Sequence, residues 1–324
     1  MIAATPLYWA AMSLAMVPLG IALVFRCTFE AVGRPWLGVA VAAVSLGAKV
    51  PLNALLIHGP GPLPALGLAG AGIATLLAEA LACAAAWAYW TRARAMRRLR
   101  LRRRLVAGEI AACAREGAPL GLLNVAETGA MAVATLMIGT FGTVALAGNQ
   151  VALSVGGVVY VLPMAFSGAV AIRVAQEQGA GRPDAMRAVA LAALGLVVVA
   201  MAGMGAIMWW GGRAIAAAIT GDPAVILAAA AIFAVFAPMQ VADAVQSVML
   251  GALRGLSDTA FPATVSMVAY WTVGLPLGWV LARGLEQGAP GVWMGYAVAL
   301  VGSAVLLSLR FLGRAGLRGA APAV

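Results

Sequence analysis

Nine long apolar segments, separated by short polar turns, take up most of this 324-residue chain. About 20 apolar residues suffice for a helix to cross the hydrocarbon core of a bilayer. Only 10% of the residues are charged, whereas soluble domains typically carry about 25%. The sequence therefore predicts an all-α integral membrane protein, a polytopic bundle of about nine spans. The predicted spans are 6–29, 36–57, 67–91, 118–140, 145–172, 187–210, 225–249, 261–282 and 290–311.

The basic residues are distributed unevenly between the turns, and this asymmetry predicts the orientation. The densest run, RARAMRRLRLRRR at 92–104, follows the third span. If that turn is cytoplasmic, all 21 basic residues except Arg213, Arg283 and Lys49 lie on the cytoplasmic side, as the positive-inside rule requires. The C-terminus is then cytoplasmic. The net charge of +10 thus anchors the topology beside membrane lipids and does not indicate a nucleic-acid partner.

The first three spans are repeated by the last three. VPLN at 50–53 corresponds to LPLG at 275–278, and GLAGAGIAT at 67–75 corresponds to PGVWMGYAV at 290–298. Because the copies start six spans apart, which is an even number, both have the same orientation, as in parallel repeats about an axis along the membrane normal. The second unit has six spans and the first has three. We therefore expect three further helices before residue 1 in the complete fold.

Four charged side chains lie in the middle of predicted spans: Lys49, Glu79, Glu127 and Asp243. A charge inside hydrocarbon costs at least about 2.5–3.5 kcal/mol, so such residues are expected to face a cavity or a partner. Lys49 precedes Asn53 by one helical turn, which places both on one face. An ammonium group there would serve as the counter-ion of a carboxylate.

In their order and spacing, several stretches resemble the multidrug and toxic compound extrusion (MATE) family, and its NorM-type branch in particular. They are Pro119 with Glu127, the segments 146–187, 240–259 and 270–282, and FRCTFEAVGRP and VPLNALLIHG in the first half. The resemblance implies the C-terminal three quarters of a twelve-helix, two-lobe fold that lacks its first three helices. It divides the chain into a partial N-lobe at 1–91, a basic cytoplasmic interlobe loop at 92–117, a C-lobe at 118–313 and a cytoplasmic tail at 314–324.

The same resemblance implies multidrug efflux by secondary antiport across the cell inner membrane. Amphipathic, often cationic, small molecules would leave in exchange for protons or sodium ions, through a protein that works as a monomer when complete. The resemblance implies no cofactor beyond the coupling ion and no enzymatic activity. Two alternatives stay open: a flippase of the same superfamily that moves lipid-linked precursors, and an inactive truncated fragment.

The resemblance also assigns site residues. Glu127, Asp243 and Asn53 match cation-coupling positions of the family. The substrate cavity is expected to include Lys49, Gln150, Tyr160, Met239 and Gln240. Sodium would bind at Glu127 and Asp243, but Met239 stands where sodium-coupled members tend to carry a tyrosine, and hard cations prefer oxygen to sulfur. Together with the presence of Lys49, this favours protons slightly over sodium.

Overall fold

The computed structural model describes residues 5–59, 65–97 and 107–319. Within these residues, nine helices are long and apolar enough to cross a membrane, which confirms the predicted number of spans. In chain order they are α1 Thr5–Ala31, α2 Pro35–His58, α3 Gly67–Arg92, α4 Ala107–Gly139, α5 Thr143–Gly179, α6 Pro183–Ala217, α7 Pro223–Gly255, α8 Ala260–Gly284 and α9 Gly288–Gly319.

The helices extend beyond the apolar segments that predicted them. Helix α4 begins at Ala107, inside the stretch expected to be a loop, because charged residues such as Glu109 and Arg115 end an apolar pattern without ending a helix. Helix α5 has 37 residues and is about 55 Å long. Helix α9 continues into the predicted tail. Residues 98–106 of the predicted loop and 320–324 of the predicted tail lie outside the described residues.

The chain divides into two compact units, Met1–Leu105 and Val106–Val324. In the first unit, α3 packs against both α1 and α2. In the second, α9 packs against both α7 and α8, and α5 and α6 pack against α7. In each repeat the first and second helices thus both pack against the third, in agreement with the internal repeat of the sequence.

The breaks between helices follow from their turn residues. Asp222 precedes α7, and its Oδ1 accepts a hydrogen bond of 2.8 Å from the backbone N–H of Ala224. Pro223 occupies the first helical position, where the missing N–H would have no partner in any case. Before α6, Gly181 has a φ of +68°, which is a favourable conformation for glycine and for few other residues.

Helix α8 is irregular and lies against the backbone of α9. It has π-helical geometry at Ala269–Gly274 and Val280–Gly284, with α-helix at Leu275–Trp279 between them. Small residues bring it close to α9: a Cβ on Gly278 would lie 2.7 Å from the carbonyl oxygen of Val292. A Cβ on Gly295 would overlap the backbone of Gly278. Helices in lipid associate through such close packing, because lipid is as apolar as the helices and no hydrophobic force drives them together.

Candidate functional site

The second unit contains a cavity of about 330 Å³ between α4, α5, α7 and α9. This volume is within the range of small-molecule sites, roughly 300–1,000 Å³. Its walls combine apolar and aromatic side chains with a few polar groups. The lining residues are Asn124, Glu127, Thr128, Met131, Leu153, Gly156, Gly157, Tyr160, Phe236, Met239, Gln240, Asp243, Trp293, Tyr296 and Leu300.

Two carboxylates share this cavity, Glu127 from α4 and Asp243 from α7. No Lys or Arg is among the described residues that line it. Two carboxylates in one apolar enclosure interact electrostatically, so binding of a positive charge by one affects the other. Asn124 and Thr128 add neutral oxygen atoms, the kind of ligand that hard cations accept. The arrangement therefore places negative charge and neutral oxygen ligands together in an apolar enclosure.

Aromatic rings form one wall of the cavity. Trp293 meets Phe236 edge to face, with ring centroids 5.0 Å apart, and lies 5.7 Å from Tyr296. The indole N–H of Trp293 donates a hydrogen bond of 2.9 Å to Oδ1 of the buried Asn149. This bond fixes the orientation of the ring. Aromatic faces attract organic cations, so the wall and the two acids suit the same kind of ligand.

A buried hydrogen-bond network supports this wall from behind. Tyr270 on α8 stacks on Tyr296 with centroids 4.7 Å apart. Nε2 of Gln246 on α7 lies 2.7 Å from the Tyr270 hydroxyl and 3.1 Å from Oγ of Ser266. Ser266 is in turn 3.0 Å from Oγ of Ser303 on α9. The network joins α7, α8 and α9 beside the cavity, and buried polar groups satisfied in this way make packing specific.

Trp271 connects α8 to the turn of α4 that carries Glu127. Its Nε1 donates a hydrogen bond of 3.0 Å to the backbone oxygen of Ala126. The ring fits there because residue 129 is glycine: a Cβ on Gly129 would lie 3.3 Å from Cζ2 of Trp271. Trp271 itself belongs to the first π-helical segment of α8, and such segments are frequent at functional sites.

Five of the predicted site residues come together in this cavity: Glu127, Tyr160, Met239, Gln240 and Asp243. Gln150 does not, because its side chain is exposed on α5 and it is not among the lining residues. The residue before it, Asn149, is buried and bonds Trp293 instead. Successive helical residues point about 100° apart. Asn149 and not Gln150 thus faces the interior of the second unit, and a role of Gln150 in a substrate cavity stays a prediction.

Lys49 and Asn53 belong to the first unit and are not among the residues that line this cavity. Lys49 lines a cleft among α1, α2 and α3. Oδ1 of Asn53 is buried and has no hydrogen-bond partner in the described part of the chain.

Sequence reasoning missed several lining residues. On α4, Asn124 lies three residues before Glu127 and Thr128 lies one residue after it. On α9, Trp293 and Tyr296 are one helical turn apart. The spacing of these aromatic residues was the one available signal. These two residues lie in PGVWMGYAV, the start of the last predicted span.

These features define a class: a multi-pass membrane transporter with ionisable residues at an internal site.

Comparison with known proteins identifies the family. The MatE family model matches residues 119–280. The chain is 35% identical over 319 residues to the probable multidrug resistance protein NorM of Deinococcus radiodurans, with 95% of this chain and 68% of that protein covered. It is 32% identical over 301 residues to the multidrug resistance protein MdtK of Pectobacterium atrosepticum, with 90% and 66% covered. The chain belongs to the MATE family, whose members are transporters and not enzymes.

Solved structures share the fold. The Vibrio cholerae MATE transporter VcmN in its bent form matches with a TM-score of 0.83 at 17% identity, over 96% of this chain and 70% of that one. The eukaryotic MATE transporter AtDTX14 matches with a TM-score of 0.80 at 20% identity, over 97% and 79%. The chain spans about two thirds of the length of the curated relatives, with 68% and 66% of the two proteins named above covered.

Proposed function

We propose that this chain forms the larger part of an antiporter that exports amphipathic cations in exchange for protons or sodium ions. The observation that carries the proposal is the cavity in the second unit, where Glu127 and Asp243 face an aromatic wall. Two negative charges attract a cationic compound, and the wall supplies apolar and cation–π contact. The names of the relatives, which are multidrug resistance proteins, agree with such substrates.

The two acids would couple export of the substrate to entry of the proton or sodium ion. When a proton or sodium ion neutralises the pair, the cavity can close without carrying a bare carboxylate through hydrocarbon. When that ion leaves, the restored charge favours binding of a cationic substrate. Protons are the better candidate, because Met239 lines the same cavity and its thioether is a poor ligand for a hard cation.

We further propose an inner-membrane protein with a cytoplasmic C-terminus, a partial N-lobe at 1–91, an interlobe loop within 92–117, a C-lobe at 118–313 and a tail at 314–324. The positive-inside distribution of the basic residues supports this orientation. A green fluorescent protein fused to the C-terminus should fluoresce, and an alkaline phosphatase fused there should stay inactive. An active phosphatase fusion would reverse the orientation.

The function is tested by dye efflux. Cells without their own efflux pumps should accumulate less ethidium when they produce this protein than when they carry the empty vector. A protonophore should restore accumulation, whereas a sodium ionophore should have little effect if protons drive export. The reverse pattern would assign the coupling to sodium.

The alternatives make different predictions. A flippase for lipid-linked precursors needs basic groups for a pyrophosphate, and the described lining of this cavity contains none. Ethidium accumulation equal to that of vector-only cells, with the protein present in the membrane, would support an inactive fragment.

A further inference from the structure

A buried amide lies behind the aromatic wall of the cavity in the second unit. Asn149, in the second turn of α5, is 0% exposed. Helix α5 comes close to α7 at this turn, since a Cβ on Gly148 would lie 2.7 Å from Cβ of Ala228. A buried amide is unfavourable unless its polar atoms find partners. An apolar side chain of similar size would avoid this cost, so the role of Asn149 is to be sought in the groups that it bonds.

The partners of Asn149 determine which way its amide points. The indole N–H of Trp293 on α9 can only donate, so it meets the amide oxygen, and the distance from Nε1 to Oδ1 is 2.9 Å. The amide nitrogen is turned toward α4, where Nδ2 lies 3.4 Å from Oγ1 of Thr135. The Thr135 hydroxyl donates to the backbone oxygen of Met131 at 2.9 Å. Its oxygen can therefore accept from Asn149, and each donor in the series has an acceptor.

These bonds join the helix of one acid to the aromatic wall. Met131 lies about one turn after Glu127 on α4, and both residues line the cavity. A continuous series of hydrogen bonds therefore runs from this turn of α4, through Asn149 on α5, to Trp293 on α9. Asn149 itself is not among the described residues that line the cavity. It can act on a bound molecule only through the residues that it holds.

Trp293 is the ring through which Asn149 reaches the cavity. Its plane makes an angle of 87° with the ring of Phe236 and of 71° with that of Tyr296, and all three rings line the cavity. Edge-to-face contacts of this kind depend on the orientation of both rings. The bond to Asn149 turns the edge that carries Nε1 toward α5. Loss of the bond would remove this polar constraint on the rotation of the ring and so change the surface that the wall presents.

We propose that Asn149 is a positioning residue that sets the selectivity of the cavity for planar aromatic cations. It does not touch the cation but holds Trp293 in the orientation that a flat ligand meets. Aromatic rings prefer offset-stacked or edge-to-face arrangements, so a flat ligand depends on the rotation of the indole. A rounded aliphatic cation has no flat face and depends on it less. The inference rests on the proposed function, because it assumes that organic cations bind in this cavity.

The test is a binding measurement on the whole chain in phosphatidylcholine nanodiscs, with ethidium as the planar probe and empty nanodiscs as the background. Asn149→Leu should weaken ethidium binding about fivefold, the effect of losing one net hydrogen bond. Asn149→Asp should retain binding, because a carboxyl oxygen can accept the same bond from the indole. Tetrabutylammonium, measured by its displacement of ethidium, is the rounded probe, and its affinity should be nearly the same in the unaltered protein and in Asn149→Leu.

A double-mutant cycle distinguishes this role from a general effect on packing. Trp293→Phe keeps a ring in the wall and removes the N–H donor, so it should weaken ethidium binding as well. Adding Asn149→Leu to Trp293→Phe should cause no further loss, because the amide no longer has the partner through which it acts. If Asn149 contributed only to packing, the two losses would multiply.

Ser154→Ala is the matched control on the same helix. The exposed hydroxyl of Ser154 donates to the backbone oxygen of Gln150 at 2.8 Å, so this variant also loses a polar group of α5 and should bind ethidium like the unaltered protein. Circular dichroism identifies any variant that does not fold. If Asn149→Leu fails in this way, Asn149→Ser replaces it, because the serine hydroxyl is too short to reach the indole.

The inference and the proposed function fail in different ways. Unchanged ethidium binding in a folded Asn149→Leu protein, equal losses for ethidium and tetrabutylammonium, or multiplied losses in the cycle would each overturn the role of Asn149 and leave the proposed function intact. An unaltered protein without saturable ethidium binding would overturn both.

Discussion

The indole nitrogen of Trp271 lies 3.0 Å from the backbone oxygen of Ala126, the residue that immediately precedes Glu127. The bond runs from an irregular segment of α8 to α4. A side chain outside the cavity lining thereby fixes the turn that presents one of the two acids. The hydrogen bond thus links the first π-helical segment of α8 directly to the residue before Glu127.

Trp271→Phe tests this connection. The variant keeps an aromatic ring but loses the N–H donor, so we expect the free energy of unfolding to fall by about 1 kcal/mol. Thermal unfolding in detergent measures the difference. Trp210→Phe is the control, because Trp210 is 82% exposed and its replacement should leave the unfolding midpoint unchanged. Equal midpoints for both variants would mean that the bond contributes nothing.

Glu127→Gln should stop exchange while leaving folding nearly intact. The amide keeps the volume of the side chain but can no longer gain and lose a proton or balance a cation. Glu127→Asp keeps the carboxylate and should transport partially, with a shifted dependence on pH, since the acid stands one methylene further back. Efflux measured against pH at matched expression tests both variants. An unchanged rate and profile in Glu127→Gln would make Glu127 a structural acid only.

Asp243→Asn should also abolish efflux without preventing membrane insertion. It removes the second charge of the coupled pair and preserves the shape of the side chain. Glu109→Gln, an exposed change on α4, serves as the control and should transport normally. Wild-type efflux in the Asp243→Asn protein would remove this residue from the coupling mechanism.

Helix number and the positions of the acids were predictable because both follow from the cost of polar groups in hydrocarbon. The face that each helix turns inward was harder to predict. Segments that are apolar all round carry little periodic signal, so nothing in AGNQVA distinguished Asn149 from Gln150. The π-helical geometry of α8 was likewise invisible, because it depends on how that helix packs against α9 and α4. The sequence therefore placed both acids in the middle of spans, but nothing in it indicated the aromatic wall beside them.

Asp258 ties the end of α9 to the turn between α7 and α8, and Asp258→Asn should loosen this joint. Its Oδ2 lies 3.0 Å from Nε of Arg310 and 3.2 Å from Nε of Arg314. The acid is buried and both arginines are 35% exposed, so we expect a loss of about 2 kcal/mol of stability. Chemical denaturation measures it, and a midpoint equal to that of the exposed change Glu109→Gln would show that the cluster adds no stability.

Gly295→Ala should separate α8 from α9. The added methyl group would overlap the backbone of Gly278, and such overpacking costs about 1–3 kcal/mol. Gly302→Ala on the same helix is the control, because a Cβ there meets nothing within 4 Å. A comparison of the two unfolding midpoints isolates the effect of the contact. A larger loss in the control would contradict the close approach of the two helices.

The length of α5 has a consequence for the membrane in which the protein works. Its 37 residues extend well beyond a hydrocarbon core of about 30 Å. Near its C-terminal end, the buried Glu177 pairs with the exposed Arg182 at 2.8 Å. A helix longer than the hydrocarbon core is accommodated by tilting, by kinking or by local thickening of the bilayer, and none of these exposes its backbone. The backbone hydrogen bonds of α5 therefore stay intact in bilayers of different thickness.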